Sequence, residues 1–205
     1  MADSTYSMSF TTGPLLHYES MIIAALFAEM QNWDAVRNIV IAENRLQMRT
    51  LNSSKRIYSE IVSRLKSLTA IQLERLQDIP PAEQAYLLWL AVCKRYRFIY
   101  DFSVEVLHEK FLRLDLALTY DDYDIFFNRK AEWHPEVERV APATRRKQRQ
   151  FVFRMLREAG VLTAVNTLTP IILSPQLANA IAQDDPAHFA IFPVSDLDIS
   201  QWTDP

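Results

Sequence analysis

Glycine is almost absent from this sequence of 205 residues, which contains only Gly13 and Gly160. Average usage of about 7% would give roughly fourteen glycines in a chain of this length. Phosphate-binding loops of the Walker type and the dinucleotide-binding fingerprint both need glycines close together, so the sequence excludes both. The tight turns of an all-β sandwich or barrel also depend on glycine. The shortage therefore favours a mainly helical protein.

Cysteine is equally scarce, since Cys93 is the single one and cannot form an internal disulfide. It lies in the apolar stretch YLLWLAVCK, where a small buried helix residue is expected rather than a nucleophile. The N-terminus, MADSTYSMSFTTGP, lacks the basic start and apolar run of a secretory signal. The uncharged stretch from Ala159 to Gln183 contains Pro170 and Pro175 and many polar side chains, which argues against a membrane span. These absences predict a cytoplasmic protein without membrane contact.

Positive and negative charges are segregated along the chain, although the net charge is only −3. Residues 37–66 contain seven basic residues and two acids, and residues 145–157 contain six basic residues and no acid. In contrast, residues 101–124 contain seven acids, and residues 184–205 carry five Asp and no base. Screening limits electrostatic contacts to a Debye length of about 8–10 Å, so the local basic segments matter more for binding than the global charge.

The order of the predicted elements divides the chain into three parts. Residues 1–100 are predicted to form an N-terminal helical domain, residues 101–183 a C-terminal winged-helix-like domain, and residues 184–205 an acidic tail. Helices followed by a basic helix and a hairpin have the order of a winged helix-turn-helix. VLTAV (161–165) and PIILS (170–174) supply the hairpin, because both are rich in β-branched residues and the polar NTLT separates them. The predicted fold class is mainly α, a helical bundle followed by a winged-helix-like unit with one short β-hairpin.

Two of the predicted helices carry basic residues where the helix dipole disfavours them. The first covers about residues 54–68, with Asn52 or Ser53 as its cap, so that its first turn contains two bases. The second runs from a Thr144 cap to Gly160 and begins with three bases. Each cation in a first turn costs about 0.3–1 kcal/mol at low salt. A phosphate backbone across the helix start reverses this effect, because the free N–H groups and the side chains both attract it.

These helices therefore predict a nucleic-acid-binding surface that acts mainly through phosphate contacts. Serine hydroxyls alternate with the bases on the first helix and donate to phosphate oxygens without blocking close approach. A basic-aromatic cluster at Arg95, Tyr96, Arg97 and Tyr100 adds to them, although bases are favoured at a helix C-terminus in any case. The alternative is that both helices simply have solvated basic faces. The predicted nucleic-acid-binding residues are Arg45, Arg49, Lys55, Arg56, Ser59, Ser63, Lys66, Arg145, Arg146, Lys147, Arg149, Gln150 and Arg154.

Catalytic patterns are missing from the sequence. The four histidines are scattered and show no zinc-binding spacing with each other or with Cys93. Asp121, Asp122 and Asp124 could surround Mg²⁺, but acids just after a Thr119 cap are what the helix dipole favours. The sequence therefore predicts a protein that is not an enzyme, with no cofactor, no metal and no small-molecule substrate.

Several segments together resemble the BrxA family, small accessory proteins of the BREX bacteriophage-exclusion systems. They are NWDAVR, AENRLQMRT, the SSKRI…EIVSRL helix and REAGVL…PIILSP, and the resemblance runs from about Tyr6 to Ala182. It implies a cytoplasmic bacterial protein of a multi-gene antiphage locus, mostly helical, with winged-helix character and double-stranded DNA binding. The other products of such loci include an adenine methyltransferase, a phosphatase-like protein, ATPases and a Lon-like protease. The family offers no catalytic residues to carry over.

Two functions are open at this point. The first is a non-enzymatic, DNA-binding accessory protein of a BREX system. The second is a protein-interaction adaptor that has no direct DNA role and docks other BREX proteins on its acidic segments. Charge reversal at Arg145, Arg146 and Lys147 distinguishes the two. It should weaken DNA binding and slightly raise stability in the first case, whereas lower stability would indicate internal ion pairs with residues 101–124.

Overall fold

The computed structural model describes residues 5–203, and this part of the chain is mainly helical, as the sequence predicts. The α-helices are α1 (His17–Met30), α2 (Trp33–Ala42), α3 (Leu51–Leu65), α4 (Ala70–Arg75), α5 (Pro81–Arg95), α6 (Arg97–Phe102), α7 (Glu109–Leu112), α8 (Tyr120–Ala131), α9 (Pro135–Glu138), α10 (Pro142–Glu158), α11 (Pro175–Ala182) and α12 (Asp196–Thr203). A π-helical turn (Ser103–His108) joins α6 to α7, and a 3₁₀ helix (Pro186–Ile191) lies between α11 and α12. None of the described helices is long and apolar enough to cross a membrane.

Residues close to one another in the sequence define several helix ends. Thr69 and Thr119 each form a capping box at the starts of α4 and α8. The Ser174 hydroxyl accepts a hydrogen bond from the Leu177 N–H at the start of α11. Gly160 follows α10 with φ of 72°, a left-handed conformation that glycine adopts without steric cost. Each of these signals involves residues within a few positions of one another, which is why the sequence alone reveals them.

The predicted starts of the two basic helices are wrong. The N-cap of α3 is Thr50, whose hydroxyl accepts from the Ser53 N–H, rather than Asn52 or Ser53. The N-cap of α10 is Ala141 rather than Thr144, because Pro142 occupies the first helical position that proline favours. The bases therefore lie at the fifth and sixth positions of α3 and the fourth to sixth positions of α10. Since the dipole effect fades beyond the first turn, these bases do not oppose the helix dipole as predicted.

The predicted β-hairpin is replaced by a shorter turn with a different register. Isolated antiparallel bridges join Leu162 to Leu168 and Ala117 to Thr167. Asn166 has φ of 61° and reverses the chain early, so the polar segment expected to form the loop makes the pairing instead. Residues 170–174, as the structure describes them, contain no strand or bridge. Pro170 also lacks the N–H that a ladder position requires.

The hydrophobic core runs continuously across the predicted domain boundary at residue 100. Helix α6 spans this position, and its Phe98 ring packs edge-on against Phe126 with the ring centroids 5.1 Å apart. The described part of the predicted acidic tail also belongs to this core, since Phe189 and Phe192 are fully buried. Residues 204 and 205 lie outside the described residues. The division into 1–100, 101–183 and 184–205 stays a prediction.

The N-terminal residues 5–16, which we call the strap, pack in an extended path against several helices. Phe10 is fully buried and lies between Tyr96 and Phe98, with ring centroids at 5.7 and 6.0 Å. The Tyr6 hydroxyl donates to the Asp101 carboxylate at 2.6 Å. These contacts fix the strap against α6 and Tyr96, the residue before it.

Candidate nucleic-acid interface

One side of α10 is buried and the opposite side carries exposed basic residues, as the helical periodicity predicts. Val152, Met155 and Leu156 are fully buried in the core. The α10 face, which we define as Arg146, Lys147, Gln150 and Arg154, is exposed. Arg154 pairs with Glu158 one turn further along the helix, at 2.8 Å. Arg146 and Lys147 form no ion pair within residues 5–203, so both remain available to an external anion.

Two predicted binding residues of α10 instead form ion pairs inside the protein. Arg145 donates to the Asp124 carboxylate from Nε at 2.9 Å and to the Asn128 side chain from Nη1 at 2.7 Å. Arg149 pairs with the other oxygen of the same carboxylate and lies over the Tyr120 ring, 4.5 Å from its centroid. The side chains of Arg145 and Arg149 are only 24% and 20% exposed. Both arginines therefore hold α10 against α8.

A basic groove lies along α3 and is bordered by the strap and the end of α5. Its volume is about 570 Å³, and we call it the α3 groove. It is lined by Thr12, Asn52, Lys55, Arg56, Ser59, Glu60, Ser63 and Arg95. Cationic side chains therefore share the groove with the Thr12 and Ser59 hydroxyls and the Asn52 amide, which can donate to phosphate oxygens. The Ser63 hydroxyl instead donates to the Glu60 backbone oxygen at 2.8 Å.

The carboxylate that lines the α3 groove, Glu60, is neutralised by its neighbours. Its Oε1 accepts hydrogen bonds from Arg64 Nε and from the Tyr96 hydroxyl, both at 2.7 Å. Burial and this hydrogen bond raise the pKa of the Tyr96 phenol well above its usual range. Arg64 also donates to the backbone oxygens of Pro14 at 2.6 Å and Gly13 at 3.0 Å. The groove consequently keeps a positive character despite containing an acid.

The remaining predicted residues of the first basic segment lie apart from the α3 groove lining. Arg45 pairs with Glu43 at 2.6 Å, and Arg49 is exposed ahead of α3. Lys66 lies over the Trp33 ring, 5.7 Å from its centroid, at the other end of α3. The structure thus brings Lys55, Arg56, Ser59 and Ser63 together but not the whole predicted set.

Four residues that line the groove are not in the predicted binding set: Thr12, Asn52, Glu60 and Arg95. Arg95 was noted in the basic-aromatic cluster, but nothing in its own segment shows that α5 ends beside α3. Asn52 was interpreted as a helix cap, and Thr12 carries no local signal at all because it reaches α3 through the path of the strap. Glu60 and Arg64 have the (i, i+4) spacing of a helical ion pair, so this pair could have been predicted from the sequence.

Two of the three acidic residues considered for a metal have structural roles. Asp122 accepts from the Thr119 N–H at 2.7 Å as part of the capping box, and Asp124 holds the two α10 arginines. Among the described residues, no group of three His, Cys, Asp or Glu side chains could hold a metal ion.

The fold and its surfaces define a mainly helical protein with two exposed basic regions, on α3 and on α10. Comparison with known families then identifies it more closely. The model of the BrxA family matches residues 4–185, so the chain belongs to the BrxA family.

Curated proteins of the same name are distant but extensive matches. "BREX protein BrxA" of Bacillus cereus (strain H3081.97) is 28% identical over 160 residues, which cover 78% of this chain and 80% of that protein. The protein of the same name from Escherichia coli O9:H4 (strain HS) is 24% identical over 148 residues, covering 72% of this chain and 70% of that protein. A crystal structure of an uncharacterized protein from Magnetospirillum magneticum has a TM-score of 0.79 at 22% identity and covers 93% of this chain and 100% of its own. This likeness shows a shared fold.

Proposed function

We propose that this protein is a non-enzymatic, DNA-binding accessory protein of a BREX antiphage defence system, which acts in the cytoplasm on double-stranded DNA. The observation that carries the proposal is the set of exposed cations without carboxylate partners among the described residues. Lys55, Arg56, Arg146 and Lys147 belong to this set. Side chains that form internal ion pairs have their charge satisfied, whereas these four are exposed, and Lys55 and Arg56 lie beside the hydroxyl and amide groups of the α3 groove. Phosphate contacts are the chemistry that such surfaces support.

The order of elements in the C-terminal half supports winged-helix character. A bridge at Ala117 precedes α8, and α10 follows. After α10 the chain turns at 163–166, Leu162 pairs with Leu168, and Thr167 pairs back with Ala117. The Thr163 N–H donates to the Thr167 oxygen, and the Leu168 N–H donates to the Leu116 oxygen. In this interpretation α10 is the recognition helix and residues 163–167 form a minimal wing. Arg157 joins the two, because its Nη1 donates to Asn166 Oδ1 at 2.7 Å.

The adaptor function has less support, because the acidic segment at 101–124 is largely neutralised within the protein. Glu105 pairs with Arg129 and Lys130, each at 2.6 Å. Asp124 is held by the two α10 arginines. A basic partner that docked there would have to replace these contacts. Membership of the BrxA family nevertheless makes other BREX proteins the expected protein partners.

A fluorescence anisotropy titration against duplex DNA, single-stranded DNA and RNA at several salt concentrations tests the proposal. We expect duplex binding whose logarithmic affinity falls linearly with the logarithm of salt concentration, by about 0.9 for each phosphate contact. Absence of duplex binding at low salt, together with salt-insensitive capture of a BREX protein, would favour the adaptor instead.

The proposal also includes the absence of catalysis. We expect the purified protein neither to cut nor to methylate DNA, and not to hydrolyse ATP when Mg²⁺ is present. Metal-dependent turnover that survives purification and disappears in Asp121→Asn and Asp124→Asn would contradict this.

A further inference from the structure

The lining of the α3 groove, in the part of the chain that the structure describes, consists of polar residues and contains no apolar or aromatic side chain. Protein–protein interfaces have an apolar centre that is enriched in aromatic side chains. Sites for single-stranded nucleic acid use aromatic side chains on which the bases stack. The α3 groove offers neither, so it suits a ligand that is polar and charged along its contact surface. The sugar–phosphate backbone of a duplex is such a ligand.

Three neutral polar side chains of the groove have no partner inside the protein. The Thr12 hydroxyl, the Asn52 amide and the Ser59 hydroxyl form no hydrogen bond with another described residue. Ser59 and Asn52 are exposed, and Thr12 is half-buried in the strap. All three groups can therefore donate to an oxygen of a bound ligand.

Two helices contribute cations to the same groove. Lys55 and Arg56 are exposed on α3, and Arg95 is the last residue of α5. None of these three side chains forms an ion pair with a residue between 5 and 203. Arg95 lies over the Tyr96 ring, 4.9 Å from its centroid, a contact that leaves its positive charge without a counterion. The three cations are therefore available to an external anion.

The side chains of the lining that do have partners are those that would suit a phosphate least. The Glu60 carboxylate would repel it, but this group accepts from Arg64 and from the Tyr96 hydroxyl. The Ser63 hydroxyl is used as well, because it donates to the Glu60 backbone oxygen. The groups that remain free are thus cations and hydrogen-bond donors.

The free groups of α3 form a row along the helix. Asn52 and Ser59 each lie three and four residues from Arg56 and Lys55, a spacing that places side chains on one helix face. At 1.5 Å per residue, the row is about 10 Å long. This exceeds the size of a single phosphate group, so the row fits successive phosphates of one strand.

We propose that the α3 groove binds one strand of the phosphate backbone of a DNA duplex, and that Thr12 and Arg95 contact it together with Lys55 and Arg56. The proposal rests on the proposed DNA binding and adds a defined site with two further contact residues. Because phosphates carry no sequence information, binding in this groove is independent of base sequence. Arg64 is a positioning residue, since it holds the strap carbonyls next to Thr12 against α3.

Arg95→Gln tests the contribution of α5, with Arg75→Gln as the matched control. Each arginine is the last residue of its helix, but Arg75 is exposed at the end of α4, outside the groove. We expect Arg95→Gln to weaken binding of a short labelled duplex about 10-fold or more at low salt, which is the loss of a hydrogen bond to a charged group. The salt slope should fall by about 0.9, whereas Arg75→Gln should retain both affinity and slope.

Thr12→Val and Thr12→Ser test the contribution of the strap. Valine has nearly the shape of threonine but lacks the hydroxyl, so Thr12→Val should weaken duplex binding about 2- to 10-fold. The salt slope should stay the same, because no charge is lost. Thr12→Ser keeps the hydroxyl and should retain the wild-type affinity. Circular dichroism and thermal unfolding verify the fold of each variant before its binding is measured.

Two further probes test the chemical class of the ligand. The first is a pair of duplexes of equal length, one rich in A·T and one rich in G·C, for which Arg95→Gln should cause equal fold losses. The second is labelled poly-glutamate of matched charge, which should bind the wild-type protein much more weakly than the duplex does.

The results that would overturn the proposal are distinguishable from failure of DNA binding itself. If the wild-type protein binds the duplex and Arg95→Gln and Thr12→Val bind it equally well, the groove is not the site and only the proposed function survives. Unequal losses on the two duplexes would indicate base contacts in the groove. Tight binding of poly-glutamate that Arg95→Gln weakens would assign the groove to an acidic protein segment. Absence of duplex binding by the wild-type protein would remove the proposed function together with this site.

Discussion

Reversing the charge of Arg145 should destabilise the protein, whereas the same change at the adjacent Arg146 should not. Arg145 donates to the Asp124 carboxylate, to the Asp124 backbone oxygen and to Asn128, and it lies over the Phe127 ring. In contrast, Arg146 is exposed and forms no ion pair with a described residue. Of these two neighbouring arginines, Arg145 therefore stabilises the fold, whereas Arg146 is available to bind DNA.

The size of the expected loss of stability in Arg145→Glu follows from the burial of the Arg145–Asp124 ion pair. The side chains of Arg145 and Asp124 are 24% and 28% exposed, so about three quarters of each is removed from water. Loss of hydrogen bonds to a charged group costs about 1.5–3 kcal/mol. A new carboxylate near Asp124 adds repulsion, which Arg149 partly offsets. We therefore expect Arg145→Glu to lower the free energy of unfolding by about 3 kcal/mol, and hence Tm by about 6–12 °C for a chain of this size.

Thermal unfolding and DNA titration of Arg145→Glu and Arg146→Glu check this prediction side by side. Arg146→Glu should change the free energy of unfolding by less than about 0.5 kcal/mol and lower the salt slope by about 0.9. Arg145→Glu, measured well below its Tm, should leave the slope near the wild-type value. Unchanged Tm in Arg145→Glu, with its slope lowered as much as in Arg146→Glu, would refute the reasoning by showing that Arg145 leaves Asp124 for phosphate.

Two further predictions concern buried charged and titratable groups. Arg64→Ala should lower the free energy of unfolding in urea by about 3–5 kcal/mol, because it leaves Glu60 and the strap carbonyls unpaired in a buried site, and an unchanged urea midpoint would contradict this. Burial lowers the pKa of His188 below its ordinary value of 6.5, so folding favours the neutral ring. The stability of the wild-type protein should therefore not depend on this group above pH 6.5 and should fall as the pH decreases below 6.5. His188→Gln should reduce this fall. Equal pH profiles of the unfolding free energy for the two proteins would disprove the prediction.

The helical character and many helix ends could be predicted from the sequence, because they depend on neighbouring residues. The capping boxes at Thr69 and Thr119 and the left-handed Gly160 involve groups only a few positions apart. The exposed face of α10 follows from helical periodicity in the same way. The predicted starts of α3 and α10 are wrong because each segment offers more than one possible start: Thr50 caps α3, and Pro142 takes the first position of α10 after Ala141.

The candidate site was only partly predictable, because its composition depends on contacts between distant segments. Nothing in the basic run of α10 distinguishes Arg145 and Arg149 from Arg146, until α8 packs beside them and supplies Asp124. Likewise, Thr12 reaches the α3 groove only through the path of the strap. The sequence by itself determined where positive charge is concentrated, since charge is a property of each residue. Tertiary structure alone decided which of those charges remain unpaired, because an ion pair forms only when packing brings its two partners within a few ångströms.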